Sequence, residues 1–134
     1  MTSADATTLL QQLGAPARLL RHVELVGEAA EALLAVLAEH TVPLDATFVR
    51  AGVVLHDVGK TLHPAELAAS GARHEAAGEQ LLLRNGVAPA LARVCVSHAA
   101  WRTADVKLEE RVVALADKLW KGARVAELET MVLD

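Results

Sequence analysis

Residues 19–37 read Leu-Leu-Arg-His-Val-Glu-Leu-Val-Gly-Glu-Ala-Ala-Glu-Ala-Leu-Leu-Ala-Val-Leu. In this stretch Leu19, Val23, Val26, Ala30, Leu33 and Leu37 recur at intervals of three and four, which draws one apolar stripe along a helix. The spacing predicts a helix from Pro16, a residue suited to a first helical position, to His40. The rest of the 134 residues points the same way. Ala and Leu, the best helix formers, dominate; Ile and Tyr are absent, and Phe48, Trp101 and Trp120 are the only aromatic residues. No segment alternates with period two between turn residues. The expected fold is all-α, a compact bundle of six or seven helices.

The remaining helices follow outward from the long one. A short helix over about 5–13 ends at Gly14-Ala15-Pro16. Asp45 can cap a third helix that carries Phe48, Val49, Val53 and Leu55 and stops at His56-Asp57-Val58-Gly59. Pro64 opens a helical turn closed by Ser70-Gly71, and a helix over about 72–84 ends at Asn85-Gly86. Pro89 begins another that reaches His98, and one long last helix runs from Leu108 to the C-terminus. With no repeat, linker or low-complexity tract, the chain reads as a single domain over residues 1–134.

Thirteen basic residues against 17 acidic ones give a net charge of −4. Such a chain has no global field with which to grip nucleic acid or an anionic bilayer, so an anionic ligand must be held locally. A hydrophobic content of 53% argues against disorder. The apolar runs are broken well short of the ~20 residues that a spanning helix needs, and the first residues lack the pattern of an export signal. Cys95 is the only cysteine, so no internal disulfide can form; placed mid-helix in an apolar run, it reads as core. These features lead to the expectation of a cytoplasmic protein without a membrane partner.

The informative residues are polar ones at apolar positions. His22 lies between Leu19 and Val26 on the stripe, and His56 follows Val53 by three and Gly52 by four. His74 shares a face with Ala77, Gly78 and Leu81; His98 continues the face of Leu91, Val94 and Cys95; Asp117 falls between Val113 and Trp120. Buried imidazoles and carboxylates are costly one by one, but converging side chains are satisfied together by a metal ion. Nitrogen with carboxylate ligands suits Mn, Fe, Co, Ni or Zn better than Ca²⁺. There is no Cys-x-x-Cys, no His-Glu-x-x-His and no glycine-rich phosphate loop. His40 continues a stripe but closes its helix, where the dipole favours it. Glu109-Glu110-Arg111 reads as a solvated face. Lys60, just past the His-Asp pair, is placed to meet a substrate phosphate, and His63 and Trp101 are candidates for the mouth of a site.

His22, then His56-Asp57 within Val53–Lys60 (Val-Val-Leu-His-Asp-Val-Gly-Lys), then Asp117 within Val112–Leu119 (Val-Val-Ala-Leu-Ala-Asp-Lys-Leu), resembles the HD superfamily of metal-dependent phosphohydrolases, from about His22 to Trp120. The resemblance implies that His22, His56, Asp57 and Asp117 bind one divalent ion. Members with two metals add two histidines before the final Asp; His74 and His98 fit those places, with Asp57 bridging. His98 is not followed by Gly-Tyr-Pro, the Glu-Asp pair of the alarmone hydrolases is missing, and the chain is short. What remains is a small stand-alone hydrolase of a nucleotide or related phosphate ester, acting through a metal-activated water with Asp57 and Lys60 as catalytic residues. The same ligand set can instead hold a di-iron centre that activates oxygen. A third reading is a non-catalytic nucleotide- or partner-binding module with the metal as a staple; the apolar Leu128, Met131 and Val132 would then form a docking or homodimer surface, or equally cap the core.

Overall fold

A computed structural model describes residues 1–133, all of them helix, turn or irregular chain with no strand among them. The first helix, α1 (Ser3–Gln12), starts two residues before Asp5 because Thr2 and Asp5 cap each other. The Asp5 N–H donates to Thr2 Oγ1 at 3.1 Å, and the Thr2 N–H donates to Asp5 Oδ2 at 3.0 Å. The long helix, α2 (Ala17–Glu39), buries Leu19, Val23, Val26, Ala30, Leu33 and Leu37, the stripe read from sequence. His40 ends it, with its Nδ1 3.0 Å from the Val36 carbonyl. Helix α3 (Ala46–Leu55) is capped by Asp45, which accepts from the Phe48 N–H. Two 3-10 turns follow, Val58–Thr61 and Pro64–Leu67, then α4 (Arg73–Arg84). Next come α5 (Pro89–Ala92) and α6 (Val94–Ser97), joined through Arg93, whose own backbone is helical.

The long final helix expected from Leu108 onward is two helices, α7 (Leu108–Leu119) and α8 (Ala126–Leu133). Gly122 sits at φ +77°, the Ala123 N–H bonds back to Lys118 and the Gly122 N–H to Leu119, which closes α7 in a Schellman turn. The break folds α8 back, so that Leu128 and Val132 enter the core rather than forming a free apolar face.

Two clusters of buried side chains share α2 and α3. One gathers the C-terminal half of α2, Val49 and Val53, the middle of α7, and α8. The other gathers α1, Leu19 and Val23 of α2, Ala51, Val54 and Leu55 of α3, and α4 to α6. Helix α3 is therefore buried nearly all round, which is why Val49 to Leu55 carries little polar pattern. Among the described residues no helix is long and apolar enough to cross a membrane.

A buried carboxylate corrects one expectation about the surface. Glu110 is 2% exposed, accepting from Arg93 Nε at 2.9 Å and from the Lys107 N–H at 2.8 Å. Its neighbours are engaged as well: Glu109 accepts from the Asp45 N–H, and Arg111 donates to the Trp101 and Thr103 carbonyls. The Glu109-Glu110-Arg111 run thus fastens the start of α7 to the preceding loops instead of facing solvent freely.

Candidate metal centre

Five elements deliver the polar residues to one place. His22 comes from the second turn of α2, His56 and Asp57 from the end of α3, His74 from the first turn of α4, His98 from the end of α6, and Asp117 from α7. The chain reverses right after Asp57 into the 3-10 turn, which lies so close to α4 that a Cβ on Gly59 would strike the His74 carbonyl and the Gly78 nitrogen. Only glycine permits this approach, and the approach brings His74 to Asp57.

Asp57 divides the geometry. Its Oδ2 lies 2.9 Å from His22 Nε2 and 3.4 Å from His56 Nε2, while its Oδ1 lies 3.2 Å from His74 Nε2 and 3.6 Å from His98 Nε2. Asp117 Oδ1 completes the first group, 3.3 Å from His56 Nε2 and 3.6 Å from His22 Nε2. Ligand atoms of His22, His56, Asp57 and Asp117 fall within 4.8 Å of one another, as do those of Asp57, His74 and His98. The structure therefore assembles two candidate sites that share one carboxylate.

Three of the imidazoles are held by their Nδ1 atoms. His56 Nδ1 is 2.6 Å from the Val53 carbonyl and His98 Nδ1 is 2.8 Å from the Val94 carbonyl. A carbonyl only accepts, so each Nδ1 carries the hydrogen and leaves Nε2 directed at the aspartates. His74 Nδ1 is held in the same way by the Glu66 carboxylate at 2.7 Å. His22 Nε2 is buried and, although 2.9 Å from Asp57, meets no hydrogen-bond geometry. A buried ring nitrogen with a neighbour but no hydrogen bond is what a coordinating ligand presents, so the residues fit a metal.

The electrostatics of the group separate two histidines. Burial works against the charge of His56, but Asp57 and Asp117 outweigh it and hold the imidazole up at about 10. His98, with ring centroid 4.9 Å from that of His56, is pushed down to about 4 by burial and then by the His56 charge. Burial opposes the charges of Asp57 and Asp117, yet both carboxyls are held below their usual range, chiefly by His56. Without an ion the two carboxylates favour a protonated His56; a divalent cation taking the place of the His56 Nε2 proton would meet the same demand for positive charge more fully.

The HD domain model matches residues 19–120 of the chain, which include every residue of both groups. The chain belongs to the HD domain family. HD domains are generally metal-dependent phosphohydrolases that bind divalent metals. No curated protein and no solved structure matches the chain.

The two groups of this HD domain open into a cavity of about 810 Å³. Lys60 lines it, with Nζ 3.2 Å from Asp57 Oδ2, and Arg18, Arg21, Lys118 and Lys121 stand around the same cavity. His63 and Trp101, expected at the mouth, are placed elsewhere. Trp101 is 4% exposed in the core beside α7, with the Arg102 guanidinium 4.1 Å over its ring. His63 precedes Pro64 at the start of the second 3-10 turn, and after Lys60 the chain returns to the cavity wall only at Glu66. The aromatic residue of the wall is Trp120, packed edge-on against His22 with centroids 4.9 Å apart. Trp120 follows Asp117 by three, a helical neighbour on the same face, so its place was within reach of the sequence pattern. Glu66 carried no such signal, since it lies in an aperiodic turn. Cys95 is core as expected, its thiol against the Leu55 carbonyl and pushed up by burial.

Proposed function

We propose that this HD domain is a two-metal phosphohydrolase that cleaves a small phosphate ester, with nucleotides the first substrates to try. The observation that carries the reading is the split of Asp57, whose two oxygens face separate histidine sets. His22, His56, Asp57 and Asp117 would hold one ion, and Asp57, His74 and His98 the other; Mn, Fe, Co, Ni and Zn suit these donors. When bound, such ions supply Lewis acidity, lowering the pKa of a water and offsetting charge on phosphoryl oxygens.

The chain's own residues supply the rest. Lys60 places a cation beside the shared carboxylate, where it can hold a phosphoryl oxygen or steady the leaving group. Arg18, Arg21, Lys118 and Lys121 place cations around the cavity that can meet an anionic substrate, beside the acidic Asp57, Glu66, Glu75 and Asp117 of its wall. His98, held neutral, and Asp57 and Asp117, held ionised, already suit ligation, whereas His56, held protonated by the two carboxylates, would exchange its Nε2 proton for the ion. Protein loaded with Mn²⁺, Fe²⁺, Co²⁺, Ni²⁺ or Zn²⁺ should turn over at least one member of a panel of phosphomonoesters, phosphodiesters and nucleoside polyphosphates. Asp57→Asn should lower kcat by at least ~100-fold, and Lys60→Ala should raise KM by about tenfold. Silence across the panel with every metal overturns the reading.

A further inference from the structure

We infer that Glu66 is a positioning residue that builds the His74–His98 half of the centre by fixing the His74 ring; the inference rests on the two-ion reading above. Helix α4 begins at Arg73, and Ala72, at its cap position, offers no side-chain acceptor. Glu66, in the 3-10 turn seven and eight residues earlier, takes that place: Oε2 accepts from the Arg73 N–H at 3.3 Å and Oε1 from the His74 N–H at 3.0 Å. The same Oε1 accepts from the His74 ring Nδ1–H at 2.7 Å, which leaves Nε2 facing Asp57 Oδ1 at 3.2 Å.

One carboxylate thus places both the backbone and the ring of His74. The site makes room for it: a Cβ on Gly71 would strike the Glu66 carboxyl group. His56 and His98 are oriented by backbone carbonyls of their own helices, which exist wherever those helices exist. His74 alone depends on a charged group brought from another element, and a carboxylate behind an imidazole makes it the stronger donor. Glu66 also lines the cavity, so it joins the wall to a ligand of the second ion.

A residue that only capped α4 would change stability without choosing between the two ions. The test compares the full-length wild-type chain with Glu66→Ala and Glu66→Gln. Co²⁺ titration followed by absorption counts the ions, and long-range ¹H–¹⁵N spectra follow the histidine rings of metal-free and Zn²⁺-loaded protein. Wild type should take two ions. Glu66→Ala should keep one at nearly unchanged affinity and lose about 10- to 100-fold at the other. Its His74 ring resonances should move while those of His56 and His98 stay in place. Glu66→Gln, which keeps an acceptor oxygen, should recover part of the lost affinity, and it carries the test if the alanine variant does not fold. Equal weakening of both ions, or none at either, overturns the inference. A wild-type chain that takes a single ion sinks the two-ion reading in that arm alone. An unmoved His74 ring in metal-free Glu66→Ala sinks the role of Glu66 whatever the ion count.

Discussion

His56 and His98 begin with the same intrinsic basicity and end on opposite sides of neutrality, at about 10 and about 4: burial lowers both, Asp57 and Asp117 more than offset it at His56, and the His56 charge lowers His98 further. This has a consequence for the metal-free protein. A raised His56 contributes stability that is complete below its unfolded value of about 6.5 and is lost as pH rises through about 10. A depressed His98 contributes stability that is complete above about 6.5 and is lost as pH falls through about 4. Asp57 and Asp117, held low, add to the loss at still more acid pH. The urea midpoint of chelated protein should therefore peak near pH 6.5 and fall on both sides, with changes of a few kcal/mol on either limb. Asp57→Asn should flatten the alkaline limb, and a wild-type midpoint constant from pH 6.5 to 9.5 would contradict the assignment. At this scale the sequence was legible where a polar side chain interrupted an apolar stripe, as with His22, His74 and Asp117. It was silent for Glu66, which interrupts nothing, and misleading for Glu110, whose charge suggested solvent although it is buried beneath a half-buried Arg93.

Among the elements, the tightest junction is the 3-10 turn of Val58–Thr61 against α4, with Gly59 and Gly78 in contact across it. Gly59→Ala inserts a methyl group into the His74 backbone, so the turn and the helix must part. It should cost about 3 kcal/mol and weaken the ion held by His74 and His98. Gly27→Ala, in the middle of α2 with nothing within 4 Å of the added carbon, should instead stabilise by about 0.5–1 kcal/mol. Urea denaturation of the two variants beside wild type decides the pair, and a stable Gly59→Ala would show that the turn can move. Element boundaries came from sequence where a cap or a proline marked them, as at Asp45 and Pro89. The missed break between α7 and α8 was marked only by Gly122, a stop signal set inside an otherwise plausible apolar pattern.

For the whole molecule, the candidate centre draws on five elements that otherwise belong to two core clusters. Each cluster is dense in Leu, Val and Ala without any contribution from the ligands, so the metal-free chain should keep its helical circular dichroism. Loading with a divalent transition metal at 100 times its Kd should then raise the unfolding free energy by about 2.7 kcal/mol for each ion, and chelation should reverse the gain. Collapse of the helical signal on chelation would assign the ion the role of a staple and count against the hydrolase reading. The sequence by itself determined that the chain is helical, where most helices start and stop, and which histidines and aspartates face inward. Those are properties of local periodicity and capping, written in three- and four-residue steps. Only the tertiary structure decided which oxygen of Asp57 meets which imidazole, that Glu66 reaches His74 across eight residues, that Arg93 reaches Glu110 across 17 and that His56 reaches Asp117 across 61. Those pairings depend on how the helices pack, and no helical period carries that information along the chain.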